Sequence, residues 1–207
     1  MEYAPSAYAK PSPHGTGTRH LKPVINFPEA LQKAFRFLAS CETHYLLIGG
    51  LASSALGEPR LTADLDLLLY VHQSCLPQFL DSAKKAGFGF DEKKVMQDAA
   101  DRLCFEMEID HLHVDCLIAA TAFEAEALTR SITIKFEGHA LRLPSPEDLI
   151  LLKLIVGRDK DLLDAKSIAL KHKDKLETAY MRGWAETFKA SKQDSLVLER
   201  LNKLLAG

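Results

Sequence analysis

The sequence holds little that would commit it to a membrane, a disulfide scaffold or a broad polyanion surface. No apolar run of about 18 residues or more occurs in its 207 positions, and its first residues lack the basic-then-apolar order of an export signal. Its four cysteines, Cys41, Cys75, Cys104 and Cys116, are scattered without C-x-x-C spacing, which argues against a zinc ribbon and against a disulfide framework. Lys and Arg number 26 against 28 Asp and Glu, a formal charge of −2, so there is no positive excess to build an extended nucleic-acid surface. The expectation is a cytoplasmic protein with no membrane partner and reduced thiols that pack as core residues. Its 47% hydrophobic content is enough for a core of ordinary domain size.

Residues 1–24 carry Pro, Ser, Gly and Thr without an apolar period and read as a flexible tail. Asn26-Phe27-Pro28-Glu29 opens a helix whose stripe is Leu31, Ala34, Phe35 and Leu38. His44 to Ile48 reads as a buried strand stopped by Gly49-Gly50, followed by a short helix over Leu51–Leu56. Ser74 is placed as the cap of a helix running to about Gly87, with Leu76, Phe79, Leu80 and Ala83 inward. From Leu103 to Ile118, apolar and polar residues alternate about a turn at Asp110-His111. That pattern predicts a hairpin in which Glu106 faces Asp115 and Glu108 faces His113. A second hairpin is expected to join Ile132–Ile134 to Leu141–Leu143. Ser145-Pro146-Glu147-Asp148 starts a central apolar helix interrupted at Gly157, and further helices fill the chain to its end.

Chemistry concentrates between Gly49 and Asp66. Asp64 and Asp66 lie two residues apart at the start of a second strand, so they point to one face while Leu65 and Leu67 point to the other. Two carboxylates on one face repel unless a cation lies between them. A third acid, Asp115, sits on a later strand among Val114, Cys116 and Leu117, and Glu106 competes for the same role. The glycines allow backbone N–H groups to approach phosphate, with Ser53 or Ser54 offering a hydroxyl. Together these parts suit metal-assisted nucleotidyl transfer. Lys153, a lone charge in an apolar helix, needs an acid or a phosphate as partner. The plainer alternatives are an acidic strand end facing water and an ion-paired helix junction at Arg158–Asp164. His111, His113 and Asp115 share a strand face that could bind a transition metal, but no further ligand lies nearby in sequence, and a polar turn and sheet edge explains the histidines.

Gly49-Gly50, Arg60-x-Thr62-x-Asp64-x-Asp66 and the later Asp115 resemble the DNA polymerase beta-type nucleotidyltransferase superfamily. Ser145-Pro146-Glu147-Asp148-Leu149, Lys153 and Arg158-Asp159-Lys160-Asp161-x-x-Asp164 are similar to the C-terminal signature of its minimal bacterial branch, which includes AbiEii/MenT-type toxins. The resemblance spans roughly residues 30–170. It implies an α/β (α+β) fold, a mixed β-sheet flanked by helices with a helical C-terminal extension. Residues 25–145 would form the catalytic core, and 146–207 would pack on it. It further implies two Mg²⁺ ions, with Mn²⁺ as a substitute, on Asp64, Asp66 and Asp115. The same three residues would be catalytic, Asp115 acting on the acceptor hydroxyl. ATP or another NTP would be held by Gly49, Gly50, Ser53, Arg60, Thr62, Lys153 and Asp161, with Asp164 in support. The acceptor expected on this resemblance is a tRNA 3′ end or a protein hydroxyl, and the partner a cognate antitoxin. A small hydroxyl compound as acceptor, or a binding module without turnover, are the alternatives.

Overall fold

The computed structural model describes residues 27–136, 138–191 and 196–206. The expected tail, the cap position Asn26 and the turn residue Glu137 lie outside the described residues. Helix α1 (Phe27–Ser40) has Pro28 and Glu29 in its first turn and buries Ala30, Leu31, Ala34, Phe35 and Leu38 along one stripe. Strand β1 (His44–Ile48) leads directly into α2 (Gly49–Leu56), so both glycines lie in the helix's first turn rather than ahead of it. Strand β2 (Asp64–Tyr70) follows.

The next helix departs from expectation. His72, not Ser74, makes the cap: its Nδ1 accepts from the Ser74 backbone N–H over a 3-10 turn at Gln73–Cys75. Helix α3 (Leu76–Lys85) then buries Leu76, Phe79, Leu80 and Ala83 as the spacing required. The 3-10 turn leaves Cys75 exposed, whereas Cys116 is buried and Cys41 and Cys104 are partly so. Helix α4 (Glu92–Arg102), capped by Asp91, resolves a stretch whose mixed pattern carries no clear period.

Strands β3 (Cys104–Ile109) and β4 (Leu112–Ile118) form the expected hairpin, with Glu106 opposite Asp115 and Glu108 opposite His113. Asp110 and His111 both take positive φ, 47° and 67°, as a two-residue turn matched to strand twist demands. Lys33 of α1 pins that turn through a 2.6 Å bond to Asp110. Helix α5 (Ala122–Thr129) begins with a full capping box between Thr121 and Glu124. Strands β5 (Ile132–Phe136) and β6 (His139–Leu143) pair as the second hairpin.

Four strands make a mixed sheet in the order β1-β2-β4-β3, with only β2 and β4 parallel. One face is oily: Phe105 of β3 meets Phe79 of α3 at 6.4 Å between ring centroids, and Phe79 meets Phe37 of α1 at 5.7 Å. Helix α6 (Pro146–Val156) starts at a Ser145 cap and ends at Gly157 with φ 67°. Helix α7 (Asp159–His172) begins two residues after that glycine, with Arg158 at its cap position. Helices α8 (Thr178–Ala190) and α9 (Val197–Ala206) complete the chain's described part. Helix α6 is central, touching α2, α7, α8 and α9. Among the described residues no helix is long and apolar enough to cross a membrane.

Candidate functional site

The site is built where β1 turns into α2 beside the start of β2. Gly49 has φ +67°, a conformation costly to any residue with a Cβ, and a methyl there would land on the Asp66 carboxylate. A methyl on Gly50 would come within 2.6 Å of Thr62 Oγ1 and 3.2 Å of Arg60 Nη1. The two glycines therefore leave room for side chains arriving from β2 and from the segment before it. Space, not flexibility, is what they supply.

Across the sheet, Asp66 pairs in register with Asp115 of β4, and Asp115 pairs with Glu106 of β3. Register partners share a face, so three acids stand side by side on adjacent strands. The next row holds Asp64, His113 and Glu108. Asp64, Asp66 and Asp115 are half-buried, and Glu106 and Glu108 are exposed. The other side of the same strands is packed with Leu65, Leu67, Val114 and Cys116. Burial pushes the Cys116 thiol well above its usual range, with Asp115 and Asp66 adding to the effect, so it offers no thiolate.

Carboxylate oxygens without soft donors are the ligand set of Mg²⁺ or Mn²⁺, and like-charged acids on one face are relieved by a cation. Donor chemistry and shared face thus fit a hard divalent ion. Among the described residues, no three His, Cys, Asp or Glu side chains are already gathered around one point. A cleft of about 1020 Å³ lies at the opposite end of β2, lined by Lys33, Arg36, Tyr70, His72 and Lys85. It lacks paired carboxylates, and its size gives it no claim on this chemistry.

Behind the glycine turn lies a chain of alternating charge. Lys153 is buried and donates to Asp161 at 3.2 Å and to Asp164 at 2.9 Å. Asp164 also accepts both Nε and Nη2 of Arg60, at 2.8 and 2.9 Å, and Arg158 donates to Asp161 at 2.6 Å. Of the two partners open to Lys153, acid or phosphate, the structure gives it acids. Bonding to Asp164 is the leading cause that raises the Arg60 pKa; burial lowers it less, and Asp66 is among the further charges that raise it. Ser53 is buried and donates to the Gly49 carbonyl at 2.9 Å, while Ser54 bonds the Arg60 backbone. The Ser53 hydroxyl is thus used within the fold, while the half-buried Ser54 bonds Arg60 near the surface.

Helix α7 also grips α2. Lys171 Nζ donates to the Gly57 carbonyl at 3.0 Å, His172 Nε2 to Leu56 at 2.9 Å, and Ser167 Oγ accepts from the Glu58 N–H at 2.6 Å. The Lys171 ammonium at the carbonyl end of α2 complements its dipole. The basic run Lys171-His172-Lys173 was the one available signal.

No protein-family model matches the chain, and no curated protein matches it. Solved structures do. The solution structure of the antibiotic-resistance factor ANT(2'')-Ia is similar at 16% identity and TM-score 0.53, over 80% of this chain and 94% of that one. The crystal structure of ANT(2'')-Ia in complex with adenylyl-2''-tobramycin is similar at 18% identity and TM-score 0.51, over 78% and 96%. At such identity the likeness is one of architecture: the chain has the nucleotidyltransferase fold, a mixed sheet flanked by helices.

Proposed function

We propose that the chain is a nucleotidyltransferase that moves a nucleoside monophosphate from an NTP to an acceptor hydroxyl. The observation that supports this most is the Asp66–Asp115 register pair beside a glycine turn with no room for a side chain at Gly49. Asp64, Asp66 and Asp115 would hold Mg²⁺ or Mn²⁺. When bound, such an ion polarises the phosphate and stabilises the leaving pyrophosphate. Asp115 takes the proton of the acceptor hydroxyl as its oxygen attacks the α-phosphorus and the bond to pyrophosphate breaks. The backbone at Gly49–Gly50 and Arg60 bind the triphosphate. In this reading residues 25–145 carry the chemistry, and 146–207 brace it.

For the acceptor, charge favours a small cationic hydroxyl compound. Glu106 and Glu108 extend the acids of Asp64, Asp66 and Asp115 outward along one face. That face attracts an amino-sugar and repels the phosphates of RNA. The ANT(2'')-Ia complex, whose ligand is an adenylylated tobramycin, shares the fold and supports the same choice. The tRNA, protein-hydroxyl and toxin readings rest on the AbiEii/MenT resemblance.

Labelled NTPs with Mg²⁺ are offered to the protein with aminoglycosides, with total tRNA and with protein extract. Transfer to the cationic compound, lost in Asp64→Asn, is the expected result. Glu106→Gln should raise the acceptor KM up to about fivefold without changing the KM for NTP. Transfer to tRNA alone would overturn the choice of acceptor. No transfer and no pyrophosphate release with any acceptor would overturn the activity.

A further inference from the structure

Arg60 and Asp164 are 104 positions apart, yet they form the tightest fork in the site region. Two parallel N–H···O bonds fix one edge of the guanidinium, the geometry in which arginine loses most of its freedom. The carboxylate that fixes it is itself fixed, since Lys153 donates to Asp164 from behind. The side chains of Asp164 and Lys153 are only 7% and 8% exposed, against 36% for Arg60. The network therefore opens to solvent at its two arginine ends, and Arg60 is the end beside the glycine turn.

The atom left outside the fork is Nη1. It contacts the Leu61 carbonyl at 3.4 Å, a long bond, and lies against the Gly50 backbone, 3.2 Å from where a methyl on that glycine would stand. A phosphate oxygen seated at the Gly49–Gly50 backbone would replace that long bond with a charge-assisted one. Lys153 is badly placed for the same task. Turning to a phosphate would take the ammonium from Asp161 and Asp164 and leave buried carboxylates without it.

We propose that Asp164 is a positioning residue: backed by Lys153, it locks one edge of Arg60 so that Nη1 meets a phosphate of the nucleoside triphosphate. The inference rests on the nucleotidyltransferase reading and places Lys153 behind the ligand rather than on it. A guanidinium already held in its binding pose loses less freedom when the nucleotide arrives.

Two measurements test it together: calorimetric titration with a non-hydrolysable ATP analogue and Mg²⁺, and NMR of the Arg60 Nε–H in the nucleotide-free protein. Arg60→Ala and Asp164→Asn should each weaken the analogue about tenfold or more, and the double variant should be no weaker than the worse single one. The Nε–H resonance should exchange slowly in the unaltered protein and broaden in Asp164→Asn. Arg60→Lys keeps the charge at a half-exposed position and loses the fork, so about a tenfold weakening is expected there even if Asp164→Asn folds poorly. Losses that add in the double variant, or a resonance unmoved by Asp164→Asn, overturn the positioning role. Full binding retained in Arg60→Lys and Arg60→Ala does the same while leaving the nucleotidyltransferase reading intact. No binding by the unaltered protein overturns that reading and removes the ligand from Arg60.

Discussion

The acidic face of the sheet and the junction of α6 with α7 both collect ionisable side chains, on opposite terms. On the sheet, Asp66, Asp115 and Glu106 stand in one row, all of one sign and open to water in part or in full. At the junction, Arg158, Asp161, Lys153, Asp164 and Arg60 alternate in sign, and the inner three are buried. Like charges in one row repel, and a bound cation relieves that repulsion. An alternating buried chain has its partners already, and removing one exposes the cost of burying the rest. The first arrangement is suited to receiving a ligand, the second to fixing geometry. Arg60 joins them, bonded to Asp164 at one end and within electrostatic reach of Asp66 at the other.

The sharpest test of that division is to neutralise one member of each group. Asp64→Asn or Asp66→Asn should lower nucleotidyl transfer on the order of 10³-fold, the loss of several kcal/mol of transition-state stabilisation. Initial rates of pyrophosphate release measure it. Lys153→Met should instead cost about 3 kcal/mol of folding stability in urea denaturation, because two carboxylates lose their shared buried cation. A Lys153→Met protein as stable as the parent would show the junction to be no scaffold. An Asp66→Asn protein with full turnover would show the sheet row to be no site.

Next in size is Gly49→Ala. A Cβ at φ +67° costs roughly 1–2 kcal/mol by itself, and the methyl must also displace the Asp66 carboxylate. About 2–3 kcal/mol of lost stability is expected, together with a fall in transfer of at least about tenfold as Asp66 moves. Loss of stability with unchanged transfer would separate the glycine from the site.

The two groups were also unequally legible in the sequence. Period-two alternation and a two-residue turn dictate register, so the pairing of Glu106 with Asp115 follows from residues 103–118 alone. The pairing of Asp66 with Asp115 does not, since parallel neighbours are joined by a long connection whose length says nothing of register. At the junction, an isolated lysine in an apolar helix announces that a partner exists. It does not say which. The Asp161 and Asp164 bonds depend on how α7 folds back on α6, and the Arg60 fork crosses 104 positions. Cys75 shows the same limit locally: its apolar neighbour Leu76 belongs to α3, while Cys75 itself sits on the 3-10 turn before it and faces out.

The smallest expected effect is the most specific to the junction. Burial alone would push the Asp164 carboxyl up, but the bonds from Arg60 and Lys153 outweigh it and hold the group below its ordinary 3.8. A carboxyl lowered in the folded state stabilises it fully above its unfolded value, and that contribution is lost as pH falls through the lower, folded one. Asp148 has the opposite sign. Burial raises it above 3.8 despite bonds from Tyr180, Ser145 and Arg130, so its contribution is present below that value and lost as pH rises through the raised one. Urea denaturation from about pH 2.5 to 6 should therefore show an acid limb below about pH 4 that Asp164→Asn flattens, by at most the one-proton slope of about 1.4 kcal/mol per pH unit. Asp148→Asn should enlarge the net loss between pH 6 and 2.5 without steepening the limb below about pH 4, since the contribution it removes changes only above 3.8. An acid limb unchanged in Asp164→Asn would place the titrating charge elsewhere, and the junction would then owe its rigidity to the apolar packing of α6 rather than to its alternating charges.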